Sequence, residues 1–348
     1  MTAAPPARVL VYGAGAVGQF VGGALALAGH DVTLLGRPAL RDALAGRPLA
    51  VARPGAQEAA APVRAVAALD GLAAAPDLVL LTVKSYDTAA TLPDLRRLAA
   101  GGAAVLTLQN GVGNEEALAE ALGPAAVRSG ALTVSVSAPA PGRVVAHTAR
   151  GGLGFAPLAG TAQDLAPLLA LFAPAGLPVV TARTHRVLKW SKLLLNLLAN
   201  AQSALLDLPP AALFADPRAF AVERRAFRET RAVMRAAGIG LVDLPAYPVR
   251  ALAAAVALPA PLARRLLAPR VARGRGDKMP SLWLDLTAGK GRSEIAWLNG
   301  AVAAEGARLG VATPVNAALA RLVAEAAADP AVLATYRGRP DRLLAAVG

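Results

Sequence analysis

The sequence predicts an α/β protein in two parts: a parallel sheet covered by helices over residues 1–182, then an all-α region over 183–348. Three observations carry this. Short apolar runs alternate with helical stretches through the first part. Those runs are almost continuously apolar, as strands covered on both faces are. After Arg183 strand-like runs stop, and long apolar-periodic helices take over. The length of 348 residues suits two domains, and the 55% hydrophobic share gives ample surface for real cores.

Residues 8–12 (RVLVY) form the first strand, followed by a glycine-rich turn and a small-residue helix to Ala28. Gly29-His30 ends that helix, and residues 31–35 (DVTLL) form the second strand. Further strands are expected over 78–83 and 104–108. From 126 to 180 short strands punctuated by Pro and Gly extend the sheet, some antiparallel, with one helix near 164–171. Helices are then predicted over 187–206, 218–237, 281–287 and 293–309, with a closing helix from Asn316. Pro209-Pro210 and residues 273–276 read as loops, and the boundary falls near 181–185.

Composition excludes several classes. Mean hydropathy is +0.47, yet no run reaches the ~20 apolar residues of a membrane span. The richest segment, 190–206, contains Lys192, Asn196, Asn200 and Gln202, which suits a buried helix. With no cysteine and only His30, His147 and His185, far apart, neither a disulfide framework nor a metal site is expected. Residues 1–8 are too short for a signal peptide, so a cytoplasmic protein is expected. The net charge of +13 comes from scattered arginines with few aromatics beside them, which argues against nucleic acid. It suits small anions such as a dinucleotide phosphate and a carboxylate.

Gly13, Ala14, Gly15, Ala16, Val17 and Gly18 spell GxGxxG between a strand and a helix, the context of a dinucleotide-binding, Rossmann-type turn. Gly13 permits the tight turn, Gly15 lets backbone approach a pyrophosphate, and Gly18 allows close helix–strand packing. The helix N-terminus adds free N–H groups and a positive dipole end. Where an NAD site carries an acid after the second strand, this chain has Gly36-Arg37. A guanidinium matches a 2′-phosphate, so NADPH is preferred; the plainer reading of Arg37 is a solvated arginine. Lys84 and Asn110 follow the third and fourth strands, where such sheets bind ligands, although Asn110-Gly111 is also a turn signal.

Lys192, Asn196 and Asn200 are spaced four and four, one stripe on a leucine-rich helix. A partly buried lysine can donate a proton where arginine cannot. A solvated polar stripe is the competing reading. Ser281 and Ser293 suit helix N-caps and Glu294 suits a helix start, while Ser281 also suits a carboxylate site.

These pieces together resemble the 2-dehydropantoate 2-reductase (ketopantoate reductase) family. The resemblance rests on residues 13–37, on VKSYDT and LQNGVGNEE, on KxxxNxxxN from Lys192, and on residues 278–316 with SEIAWLNG. It implies an NADP-dependent oxidoreductase that makes (R)-pantoate for pantothenate and coenzyme A biosynthesis. Lys192 is then the proton donor, with Glu294 paired to lysine and substrate. Asn110, Asn196, Asn200 and Ser281 hold the substrate, Asn110 also lying at the nicotinamide, and Lys84 and Arg37 contact the cofactor. The chain departs from the family's pattern at Asn200-Ala201-Gln202, where many members have proline after the asparagine. That leaves room for another 2-oxo acid or lactone. Two other readings are a 3-hydroxyacid-type dehydrogenase and a non-catalytic NADP(H)-sensing regulator. The leucine-rich helices would also offer a homodimer face.

Overall fold

The structure is a computed structural model that describes residues 6–275 and 278–348. Contacts divide the chain into two units. The first takes the described residues up to Gln109 with Asn114–Lys189 and Leu244–Tyr247; the second takes Asn110–Gly113, Trp190–Asp243 and Pro248–Gly348.

Among its described residues unit one holds twelve strands: β1 Arg8–Tyr12, β2 Asp31–Leu35, β3 Leu49–Ala52, β4 Ala59–Ala61, β5 Val63–Val66, β6 Leu78–Leu81, β7 Ala104–Thr107, β8 Val127–Leu132, β9 Val136–Ala140, β10 Arg143–Ala146, β11 Leu153–Pro157 and β12 Val179–Thr181. Eight form one sheet in the order β12-β11-β8-β7-β6-β1-β2-β5. Every described neighbour pair in it is parallel except β8 with β11. Its helices are α1 Ala16–Leu27, α2 Pro38–Ala43, α3 Thr88–Ala100, α4 Asn114–Leu122 and α5 Ala166–Phe172. Alternate residues of β1 serve opposite cores: Val9 and Val11 join one cluster, Leu10 the other. Both faces are therefore covered, which is why the strands read as continuous apolar runs.

The expectation that 126–180 only extends this sheet is corrected. β9 and β10 leave it for a second sheet of order β4-β3-β10-β9, packed on α1. Its alanine-rich strands have little β-propensity, and the parallel β3–β10 pairing joins distant segments, so local periodicity carried no sign of it.

Helix α6, His185–Leu197, contributes its start to unit one and Trp190 onward to unit two. Unit two continues with α7 Asn200–Leu206, α8 Pro210–Ala215, α9 Pro217–Ala236, α10 Val249–Ala257, α11 Ala260–Arg275, α12 Ser281–Thr287, α13 Asn299–Leu309, α14 Pro314–Ala328, α15 Pro330–Tyr336 and α16 Pro340–Val347. Among the described residues no helix is long and apolar enough to cross a membrane.

The predicted helix 187–206 is two helices. Ala199 sits at φ 57, in the left-handed region, and α7 starts beyond it. The break is closed from a distance: buried Glu223 on α9 accepts from Ala199 N at 2.7 Å and from Gln202 Nε2 at 2.6 Å. The helix expected over 293–309 likewise divides into a 3-10 turn, Glu294–Trp297, and α13. Pro210 opens a helix and residues 273–275 end one, so neither stretch is the expected loop; Gly276 lies outside the described residues.

Glu223→Ala takes the acceptor from a buried N–H, and we expect a loss of about 1–3 kcal/mol in urea unfolding.

Candidate active site

In unit one, β1, β2 and β6 run parallel and in register, Tyr12 lying opposite both Leu35 and Leu81. The turns that follow them therefore emerge along one sheet edge. Two glycines of the first turn have separate steric reasons, and the third has none. Gly13 has φ 95, and a Cβ there would lie 2.6 Å from Val83 N. A Cβ on Gly18 would lie 2.6 Å from Thr82 Oγ1 and Val11 Cγ1. Gly15 is exposed, and a Cβ there would meet nothing within 4 Å, so its task is not internal packing.

Gly13 N and Ala14 N both donate to Leu35 O, which fixes the turn over the end of β2. The first N–H groups of α1, at Ala16, Val17 and Gly18, have no acceptor within the helix. Its cap residue is Gly15, with no capping side chain and no acid in the first turn. This positive end is open to an anion. Beside it, a Cβ on Gly36 would lie 3.3 Å from the Ala14 Cβ, so the Gly36-Arg37 backbone passes next to the glycine turn. Arg37 is exposed at the start of α2, and half-buried Lys84 follows Val83 at the end of the β6 segment. Arg37, Lys84 and the α1 N-terminus are thus three cationic or donor groups on one edge, with no acid at the end of β2. Such an edge suits an anionic ligand such as a dinucleotide.

Next to Lys84, the Gln109 side chain ties two turns together. Its Nε2 donates to Val83 O at 3.1 Å and Thr88 Oγ1 at 2.8 Å, and its Oε1 accepts from Thr107 Oγ1 at 3.0 Å. Lys189 of α6, unremarked in the sequence, is 2% exposed and donates to the carbonyl of Gln109. It is also 3.1 Å from Glu115 Oε1. A lysine on the apolar face of an amphipathic helix was the available sign.

In unit two, the loop Asn110–Gly113 lies on the turn Glu294–Trp297. Val112 N donates to Trp297 O at 3.0 Å. Gly111 has φ 86, and a Cβ there would fall 2.5 Å from that same oxygen. The loop brings Asn110 Oδ1 to Asn196 Nδ2 at 3.2 Å, one turn along α6 from Lys192. Lys192 and Asn196 are half-buried among buried leucines, forming a narrow polar stripe.

Asn200 is not on that stripe, because α6 has ended. It opens α7 and faces α12, where its Oδ1 accepts from Leu282 N at 3.1 Å and its Nδ2 lies 3.5 Å from Ser281 Oγ. The cap reading of Ser281 is corrected: Pro280 occupies the cap position, and Asn200 supplies the capping oxygen. Ser293 holds its cap position but makes no capping bond, and Glu294 beside it is 5% exposed. Burial lowers the pKa of Lys278, just upstream of Ser281. Gln202, part of the departure noted above, donates to Ala219 O and Glu223 and is committed to packing.

Gly13→Ala should lower stability by roughly 1–3 kcal/mol through overpacking against Val83. Gly15→Ala should leave the melting temperature unchanged and weaken dinucleotide binding measured by fluorescence. Equal melting losses in both variants would contradict this division of roles.

A family model described as Ketopantoate reductase PanE/ApbA matches residues 9–160, and one described as its C terminal matches 184–327. A curated 2-dehydropantoate 2-reductase from Halobacterium salinarum is 35% identical over 92% of this chain and 99% of its own length. The crystal structure of a PanE/ApbA family ketopantoate reductase from Ralstonia eutropha is 35% identical, with a TM-score of 0.76 over 92% of this chain and 98% of that one. A 2-dehydropantoate 2-reductase structure from Geobacter metallireducens is 28% identical, with a TM-score of 0.78 over 91% and 99%. The chain belongs to the ketopantoate reductase PanE/ApbA family.

Proposed function

We propose that the chain reduces 2-dehydropantoate to (R)-pantoate with NADPH, and that Lys192 donates the proton. The observation that carries this reading is the Asn110–Asn196 hydrogen bond one helical turn from Lys192, in a chain of this family. In this assignment residues 1–182 hold the cofactor and contribute Asn110 to the substrate, and 183–348 carry the other substrate groups and the acid. The reaction is that of a cytoplasmic biosynthetic enzyme acting on a small molecule.

When bound, the dinucleotide supplies a hydride to the carbonyl carbon. Gly13, Ala14, Gly15, Ala16, Val17 and Gly18 would hold its pyrophosphate, Arg37 the 2′-phosphate, and Lys84 a further phosphate or ribose oxygen. The open space over Gly15 and the absence of an acid after β2 support that fit.

Charge develops on the substrate's carbonyl oxygen, and an ammonium aimed there stabilises it and passes on a proton. Lys192 fills this role because arginine stays protonated at neutral pH. Asn110 and Asn196 offer amide groups that both donate and accept, suited to the carbonyl and hydroxyl groups. Ser281 supplies a hydroxyl for the carboxylate, and Asn200 fixes the backbone beside it. Glu294 orients Lys192 and the substrate.

The test is loss of nicotinamide absorbance with ketopantoate, run with NADPH and NADH and beside ketopantolactone and other 2-oxo acids. We expect turnover with NADPH and ketopantoate. Lys192→Ala should lower kcat by about 10²–10⁴-fold, the range of general acid catalysis. Arg37→Ala should raise KM for NADPH about 10-fold, the loss of one charge-assisted contact, and leave NADH unaffected. NADPH binding without ketopantoate turnover would move the substrate to another 2-oxo acid or lactone.

A further inference from the structure

Helix α6 carries two of the chain's five lysines, Lys189 and Lys192. Their surroundings differ. Lys192 is half-buried, whereas Lys189 is 2% exposed and engaged on every side. Its Nζ donates to the Gln109 carbonyl, lies 3.4 Å from Gly130 O on β8, and pairs with Glu115 Oε1 at 3.1 Å. Glu115, itself fully buried at the start of α4, also accepts from Ser129 Oγ at 2.8 Å. An ammonium so enclosed has no open approach for a substrate carbonyl.

What Lys189 holds is informative. The Gln109 carbonyl belongs to the peptide that leads directly into Asn110. The Gln109 side chain bonds Val83 O, and that carbonyl belongs to the peptide that leads into Lys84. The next residue on that turn, Ser85, accepts from Asn114 Nδ2 at 3.1 Å, so the turn is braced twice, by Gln109 just before Asn110 and by Asn114 beyond it. One buried cluster thus fixes the backbone immediately before each of two residues assigned to cofactor and substrate.

Stability alone does not explain the ion pair. A buried pair gains little net over an apolar pair of similar size, because desolvation offsets the attraction. What an apolar pair lacks is a directional donor for the Gln109 carbonyl.

We propose that Lys189, with Glu115 as its counter-ion, is a positioning residue that sets the backbone at Gln109 and so the placement of Asn110, and that Gln109 passes the constraint to the turn bearing Lys84. This rests on the reductase reading for the role of Asn110 but not for the mechanical linkage.

The test uses the full chain as Lys189→Met/Glu115→Met, which removes both charges together and leaves no unpaired ion. Hydrogen exchange is measured peptide by peptide, beside ketopantoate kinetics and NADPH affinity. A second variant, Gln109→Met, keeps the ion pair intact. The double variant should speed exchange at 109–114 about 10-fold while β1 and β2 keep their protection, as local opening does. Its kcat/KM for the 2-oxo acid should fall about 100-fold, the cost of displacing a substrate-positioning group by about 1 Å. The NADPH Kd should rise, because the turn bearing Lys84 is loosened through Gln109, and the pH dependence of kcat should keep the wild-type shape because Lys192 is untouched. Gln109→Met should loosen 83–88 and raise the NADPH Kd. Unchanged exchange at 109–114 in the double variant, or kcat/KM within about twofold of wild type, overturns the proposal. Should the double variant lose protection throughout, Gln109→Met decides: no loosening at 83–88 overturns it. Wild-type protein that binds NADPH and reduces no ketopantoate would instead sink the reductase reading, and the exchange data would still decide this one.

Discussion

The proposed substrate half of the site depends on one close approach, the backbone of Gly111 against the carbonyl of Trp297. A Cβ at Gly111 would lie 2.5 Å from that oxygen, and φ 86 is itself a conformation that side chains resist. Glycine therefore lets the loop Asn110–Gly113 lie flat on the turn Glu294–Trp297. That contact sets where Asn110 sits, and so permits its bond to Asn196 on the helix that carries Lys192. The next residue along the turn, Val112, donates to the same Trp297 oxygen. Gly111 and Val112, which follow Asn110, are thus held by backbone contacts to Trp297.

A second theme is that helix ends in unit two are closed by remote side chains. Glu223 of α9 accepts from Ala199 N before α7, and Asn200 accepts from Leu282 N at the start of α12. Glu229, also on α9, accepts from Val315 N and Asn316 N at the start of α14. Acceptors at helix N-termini stabilise through both hydrogen bonding and the dipole. Here they also link neighbouring helices, so Asn200 and Ser281 are brought together by capping itself. The α1 terminus is the contrast: it has no such acceptor, which suits a place where a phosphate would bind.

This contrast explains what the sequence made legible. The glycine turn was readable from its spacing between a strand and a helix, and the structure gives Gly13 and Gly18 steric reasons. The central strands β1, β2, β6 and β7 were readable because burial on both faces writes itself as continuous apolar runs, whereas edge strand β5, with exposed Arg64, was not. The break at Ala199 was not: alanine is a strong helix former, and the cause lies 24 residues away in Glu223. The same holds for the second sheet, whose alanine strands gain their pairing from distant partners. Lys192 and Asn196 were legible as polar residues on a leucine-rich helix, and Asn110 as a residue just past a strand end. Lys189 was overlooked because its partners, Gln109 and Glu115, are revealed only by folding.

The central claim is that Asn110 must be seated against Asn196 for reduction to occur. It is tested most directly by Gly111→Ala, which adds a side chain where the loop meets Trp297 and leaves every proposed catalytic group in place. Steady-state ketopantoate reduction should fall about 100-fold while NADPH binding is retained, the pattern of a misplaced substrate-positioning group. A variant with wild-type turnover and affinity would contradict the account.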